Sequence, residues 1–400
     1  MRFMNLAALK SRDFRIYLIG NVFALNALWM QRLTVGWLAW DMTTSASFVG
    51  LVAFVNFSPT MFAGPFFGVL VDRVRTRHAA MVTQSALCFW ALVLFASHSL
   101  GLLGPFVLVV ISGLLGIAMA AHHPIRMSLA PRLVEEDDVA SVVSLAAINF
   151  NLARLTGPAL GGWVIATGGV GVSLVTQAAF YLPFIFALTL LRPRRRNRSS
   201  AAASPFLKDL AIGIKHVMQS ALIRRAILVT GVAAFVSRGV LEILPVIADG
   251  VFVRGATGLG MLTAVAGLGA LAAGLATTVM PRHTKRRLPR AALLSALAGL
   301  GLVPLIGYSE VWPLTLTLVA CLGFAATMTG ILMQTTIQIE LADELRGRVM
   351  SLWILVSIGS TATGAMILGG LADLVGLSAG LGLSGGLGFM ILAVFVRRVW

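Results

Sequence analysis

Charge is scarce in this chain. Asp, Glu, Lys and Arg together make up only 12% of its 400 residues. A soluble globule of that length needs much more charge on its surface, so a soluble fold is excluded. Acids are scarcest, 15 against 31 lysines and arginines, for a formal net charge of +16. Only two cysteines occur, Cys88 and Cys321. Both lie in apolar runs and read as small core residues, which leaves neither a disulfide framework nor a metal site. The alternation of a barrel strand is missing, so the apolar runs read as helices. No phosphate loop or nucleophile–base pair is present, so neither an enzyme nor a cofactor is expected.

What is abundant is hydrocarbon. Hydrophobic residues supply 58% of the chain, and the mean hydropathy is +0.92. The 41 glycines suit close helix packing in lipid. Twelve apolar segments are long enough to cross a bilayer: 15–39, 46–70, 79–98, 104–124, 139–165, 171–191, 223–247, 257–280, 290–308, 312–333, 347–371 and 376–396. The basic start runs into a segment too long for a signal peptide, so no cleaved leader is expected.

Placing the N-terminus in the cytoplasm puts nearly all the cationic residues on that side. Apart from Arg32, Arg154, Arg238 and Arg254, every one of the 31 lysines and arginines falls in an inner loop or terminus. This asymmetry orients the chain with both termini inside, and it explains the net charge without nucleic acid. The polar stretch RPRRRNRSSAAASP, Arg192 to Pro205, reads as a flexible basic linker. It divides the chain into a six-helix bundle at 1–191, a cytoplasmic linker at 192–221 and a second bundle at 222–400. The halves echo each other: SLAAINFNLARLTGPALGG starts at Ser144 and SLWILVSIGSTATGAMILGG at Ser351. Such repeats imply a substrate site between the bundles near the midplane.

Two motifs carry a family resemblance. G-VLV-DRVRTR, from Gly68 to Arg77, resembles the loop signature G-x-x-x-D-R-x-x-R-R of the major facilitator superfamily. Gly68, Asp72, Arg73 and Arg77 match it; Arg75 and Thr76 depart from it. The resemblance implies a latch between the two halves; the plainer reading is a topology signal alone. GPALGG resembles the superfamily's antiporter signature through Gly157, Pro158, Gly161 and Gly162, with Ser144 and Ala153 replacing the upstream glycines. It implies export; the plainer reading is small-residue packing. SRDFRIYLIGN, HHPIRMSLAPRLV and QTTIQIELADELRGRVMSLW are similar to the enterobactin-exporter-like group within the superfamily, over nearly the whole chain.

Charges inside the apolar segments are costly, about 2.5–3.5 kcal/mol each at mid-membrane. Arg238 and Glu242 stand four apart and are expected to pair on one helix face. Asn21 and Arg32 stand three turns apart on another. The offset between the repeats carries Arg32 to the residue after Arg238. Arg32, Arg238, Asn21 and Arg154 are therefore candidates to line a substrate cavity, with Glu242 as the proton-coupling carboxylate. The plainer readings are a structural Arg238–Glu242 pair and an Arg154 that satisfies carbonyls. His122, His123 and Arg126 are expected near the headgroups, and Asp41 and Asp373 near outer gate contacts.

The resemblance and the charges together imply a monomeric, twelve-helix transporter of the bacterial inner membrane. Its expected action is export of an amphipathic or anionic, drug- or siderophore-like compound by proton antiport. An importer or lysophospholipid flippase of the same fold, or a non-transporting scaffold, are the rival expectations.

Overall fold

The computed structural model describes residues 6–194, 206–280 and 287–399, including all of their side chains except those of residues 62–73, 206–210, 343–344, 398 and 399. Among the described residues the chain is almost wholly helical and holds no strand.

Local chemistry sets the helix ends. Helix α1, Arg12–Thr43, starts where the Ser11 side chain accepts from the Phe14 N–H, and it stops at Thr44 in the left-handed region. α2 is Ala46–Arg73 and α3 is Thr76–Ser99. α4, Pro105–Leu129, begins with a proline whose missing N–H costs nothing there. α5 runs Val139–Leu190 but is broken at Gly169, whose φ of 82° suits glycine. α6 is Phe206–Gln219 and α7 is Ala221–Ala233. A π-helical turn, Ala234–Arg238, leads into the short α8, Gly239–Glu242, and a second, Val246–Val251, follows Pro245. The remainder are α9 Gly255–Val279, α10 Arg290–Gly307, α11 Trp312–Glu340, α12 Asp343–Val375 and α13 Leu377–Val399.

α1 lies along α5, α2 along α4, and α3 against both α4 and α5. α11 packs on α9 and α10, and α13 on α10. Two long contacts join these groups, α2 with α12 and α5 with α9. Among the described residues, eight helices are long and apolar enough to cross a membrane, or nine if the bent pair at Ser220 counts as one. α1 is not among them, because Asn21, Asn26, Gln31 and Arg32 dilute it. Phe89, Trp163 and Phe186 are among many large apolar side chains left exposed, as lipid-facing surfaces require.

Two local features add to the sequence reading. The second part of the linker 192–221, beyond the basic stretch Arg192–Pro205, is occupied by α6; Ala211, Ile214 and Met218 carry the helical spacing that the arginine run before them obscures. α4 also runs beyond 124 to Leu129; Arg126 lies in its last turn, and His122 and Arg126 are buried among neighbouring helices while His123 is exposed.

Candidate functional site

A cavity of about 360 Å³ lies where α1, α2, α5, the α7–α8 segment, α9 and α12 converge. Its charged lining is Arg32, Arg154, Arg238 and Glu242, and its walls include Trp29, Phe57 and Phe150. Four residues from three distant stretches of sequence thus share one space. Three guanidinium groups against one carboxylate leave the cavity with an excess of positive charge.

Each group is held by its neighbours. Arg32, one turn beyond Trp29 on α1, donates through Nη2 to Oε1 of Glu242. Its guanidinium lies 5.1 Å from the Trp29 ring centre and 4.7 Å from that of Phe57. Two aromatic faces attract and orient the cation while leaving its edge free to meet an anion. The Arg154 guanidinium also lies near Trp29, 5.8 Å from its ring centre. Arg238 donates to the Ser357 hydroxyl of α12 at 3.2 Å. Its Nη2 lies so close to Gly330 of α11 that a Cβ there would come within 2.6 Å. Thr263 and Thr361 add hydroxyls to the lining.

The expected pairing of Arg238 with Glu242 is not what forms. Glu242 turns to Arg32, and Arg238 to Ser357. Arg238 and Glu242 are joined by the α-helical turn of α8, so spacing alone permits the pair, but each side chain is taken by a partner on another helix, α1 for Glu242 and α12 for Arg238. Asn21 also departs from expectation. It shares a helix face with Arg32 but lies about 16 Å away along the axis. There it is buried, outside the cavity lining, with both amide atoms unpartnered.

Within the loop motif, the side chains of Gly68, Asp72 and Arg73 lie outside the described residues. Arg77 donates to the Thr189 carbonyl at 2.6 Å, pinning the start of α3 to the end of α5. The GPALGG residues sit at two helix contacts. A Cβ on Gly157 would come within 2.6 Å of Trp29 Cβ on α1, and Gly161 faces Met30. Gly162 faces α9, where a Cβ would come 2.9 Å from Gly260 Cα. Pro158 presents its carbonyl to Gly260 in the same contact.

Beyond the cavity, polar contacts join the two halves of the chain. Trp40 Nε1 donates to Asp249 at 2.9 Å, and Asp249 also accepts the Gly255 N–H at 3.0 Å. Asp373 accepts from the Ala46 and Ser47 N–H groups and from both serine hydroxyls, at Ser45 and Ser47. Asp41 is exposed. The aromatic walls escaped the sequence reading, although Trp29 is three residues from Arg32 and so shares its face. His122 Nδ1 pairs with Thr83 at 3.1 Å, away from the cavity. Among the described residues no group of acids, histidines and cysteines could hold a metal.

A sequence profile of the transmembrane secretion effector family matches residues 4–399. The chain belongs to that family of major facilitator superfamily transporters. This transporter is 26% identical over 385 residues to the enterobactin exporter EntS of Shigella boydii serotype 4, covering 92% of this chain and 87% of the relative. Its fold is similar to that of the nucleoside transporter NupG, with a TM-score of 0.73 at 10% identity over 96% of this chain and 98% of the other. A bacterial homolog of the human lysosomal transporter Spinster, in an inward-facing and unoccupied conformation, superposes with a TM-score of 0.71 at 13% identity, over 97% and 95%. The transporter is not an enzyme, and the charged cavity is its candidate site.

Proposed function

We propose that this transporter exports an aromatic, anionic or amphipathic small molecule from the bacterial cytoplasm by alternating access, driven by proton antiport. The proposed topology has twelve crossings and both termini inside. They are α1, α2, α3, α4, the two arms of α5, the bent α7–α8 segment, and α9 to α13. The bundles are 1–191 and 222–400, joined by the linker 192–221, and the protein works as a monomer. The apolar helices and the bacterial exporter relatives support the proposed inner-membrane location.

The observation that carries this reading is the Arg32–Glu242 pair across the cavity. Three arginines and a glutamate at that depth are costly, and the ion pair, the aromatic faces and the open space between them together offset that cost. Arg154 and Arg238 supply an anion with charge-assisted donors, and Trp29, Phe57 and Phe150 supply flat faces for a ring. Glu242 sets the proton coupling. A cargo hydroxyl or amine that donates to the Glu242 carboxylate competes with a proton for it, and that competition is antiport.

The same pair supports a second reading. A cargo anion that takes Arg32 from Glu242 leaves a carboxylate ready to accept a proton, so cargo and proton load together. The two readings predict opposite signs. Cargo binding to detergent-purified protein should weaken as pH falls under antiport and strengthen under co-loading. Accumulation in inside-out vesicles, with and without a proton gradient, then tests export itself. Absence of gradient-driven accumulation across a panel of aromatic anions would remove the exporter reading.

A further inference from the structure

Helix α6 does not run in line with any crossing helix. At Ser220 the chain turns through 104° into α7. Since α7 belongs to a proposed crossing, α6 runs nearly at right angles to it, along the membrane plane. One side of α6 rests on α12. Gly213 is buried there, and a Cβ on it would come 3.1 Å from both the Arg348 carbonyl and the Leu352 side chain. Ala211, Ile214 and Met218, spaced three and four apart, form the opposite face. Ile214 is 47% and Met218 60% exposed. Lys215 is exposed along the edge of that stripe, and Arg224 and Arg225 follow just past the bend. Arg224 donates to the Met218 carbonyl at 2.8 Å, fixing the corner.

We propose that α6 is an interfacial helix that docks on an anionic lipid surface. Ala211, Ile214 and Met218 sink among the acyl chains, while Lys215, Arg224 and Arg225 engage lipid phosphates. An apolar stripe bordered by cations on a helix lying in the membrane plane is the pattern that headgroup–acyl boundaries select. Complementarity of charge selects acidic over zwitterionic lipid. α6 packs on α12, the helix that also carries Ile358 and Thr361 of the cavity wall and Asp373. The inference rests on the membrane orientation proposed above and on no property of the cargo.

The test uses the full-length chain with Cys88→Ala and Cys321→Ala. A nitroxide is placed at Ile214→Cys or, separately, at Met218→Cys, and the protein is reconstituted in nanodiscs of phosphatidylcholine with or without phosphatidylglycerol. Both labels should meet dissolved oxygen in preference to a water-soluble nickel chelate, more so with phosphatidylglycerol. Free access of the chelate at both positions would overturn the insertion. Spin-labelled phosphatidylglycerol should be enriched over phosphatidylcholine around the protein. Lys215→Gln combined with Arg225→Gln should lower that enrichment, by about fivefold per charge. Equal enrichment in the variant and the parent would overturn the charge recognition. Both readouts are independent of cargo, so a failure of the exporter reading leaves them intact.

Discussion

Asp373, at the last turn of α12, caps the first turn of α2 by accepting the N–H of Ser47 at 2.8 Å. The Ala46 N–H joins it at 2.9 Å, so one carboxylate satisfies the open donors of a helix far away in sequence. Its negative charge also faces the positive end of α2.

Replacing Asp373 with Ala removes that cap. The loss should be about 0.5–1 kcal/mol, the low end of the capping range, because the carboxylate is exposed and screened. The expected result is a shift toward opening at that end, read as faster labelling by an impermeant reagent of Gly36→Cys, which lines the cavity, in a background with Cys88→Ala and Cys321→Ala. High salt should reproduce part of the effect in the parent. Unchanged labelling in Asp373→Ala would show that this contact does not hold the end closed.

Glu242→Gln keeps the shape of the carboxylate and removes its charge. Gradient-driven transport should be lost while downhill exchange of cargo survives, and the purified protein should keep its elution profile. A double-mutant cycle of Arg32→Gln and Glu242→Gln in cargo affinity should return a coupling of about 1–3 kcal/mol. Additive effects would separate the two residues functionally, despite their contact.

Gly330→Ala places a methyl group where Arg238 now lies. The guanidinium is the far end of a flexible side chain, so it should move aside with little loss of thermal stability. Cargo affinity should fall several-fold, measured by tryptophan quenching. A drop in melting temperature with unchanged affinity would make Arg238 a packing residue.

Gly162→Leu and Gly260→Leu should each jam the contact between α5 and α9. Overpacking of this kind costs about 1–3 kcal/mol. The measurable result is loss of transport together with a lower melting temperature in detergent. Gly274 has open space around a built Cβ, so Gly274→Ala on the same helix should be silent.

Much of the helical fold was legible because lipid imposes a simple rule: a crossing needs about 20 apolar residues. The cavity residues were legible for a related reason. Arg32, Arg154, Arg238 and Glu242 each break the apolar pattern, and the structure brings all four to one space. Their pairing was not legible. Helical spacing allows Arg238 to meet Glu242, but it cannot show that Arg32 of α1 and Ser357 of α12 stand close enough to compete for them. Asn21 shows the complementary error, since angular position on a helix says nothing of depth along it. α6 was hidden by its own context, because the arginines before it read as linker and its apolar stripe is short.

The meeting of Gly162 with Gly260 has no side chain from either residue at the point of crossing. Two backbones touching without interlocked rotamers can roll on each other as a bearing does, with little friction. Under the proposed alternating access, resistance to the swing would then reside in the polar clasps at Asp249 and Asp373, where a few hydrogen bonds join the two sides.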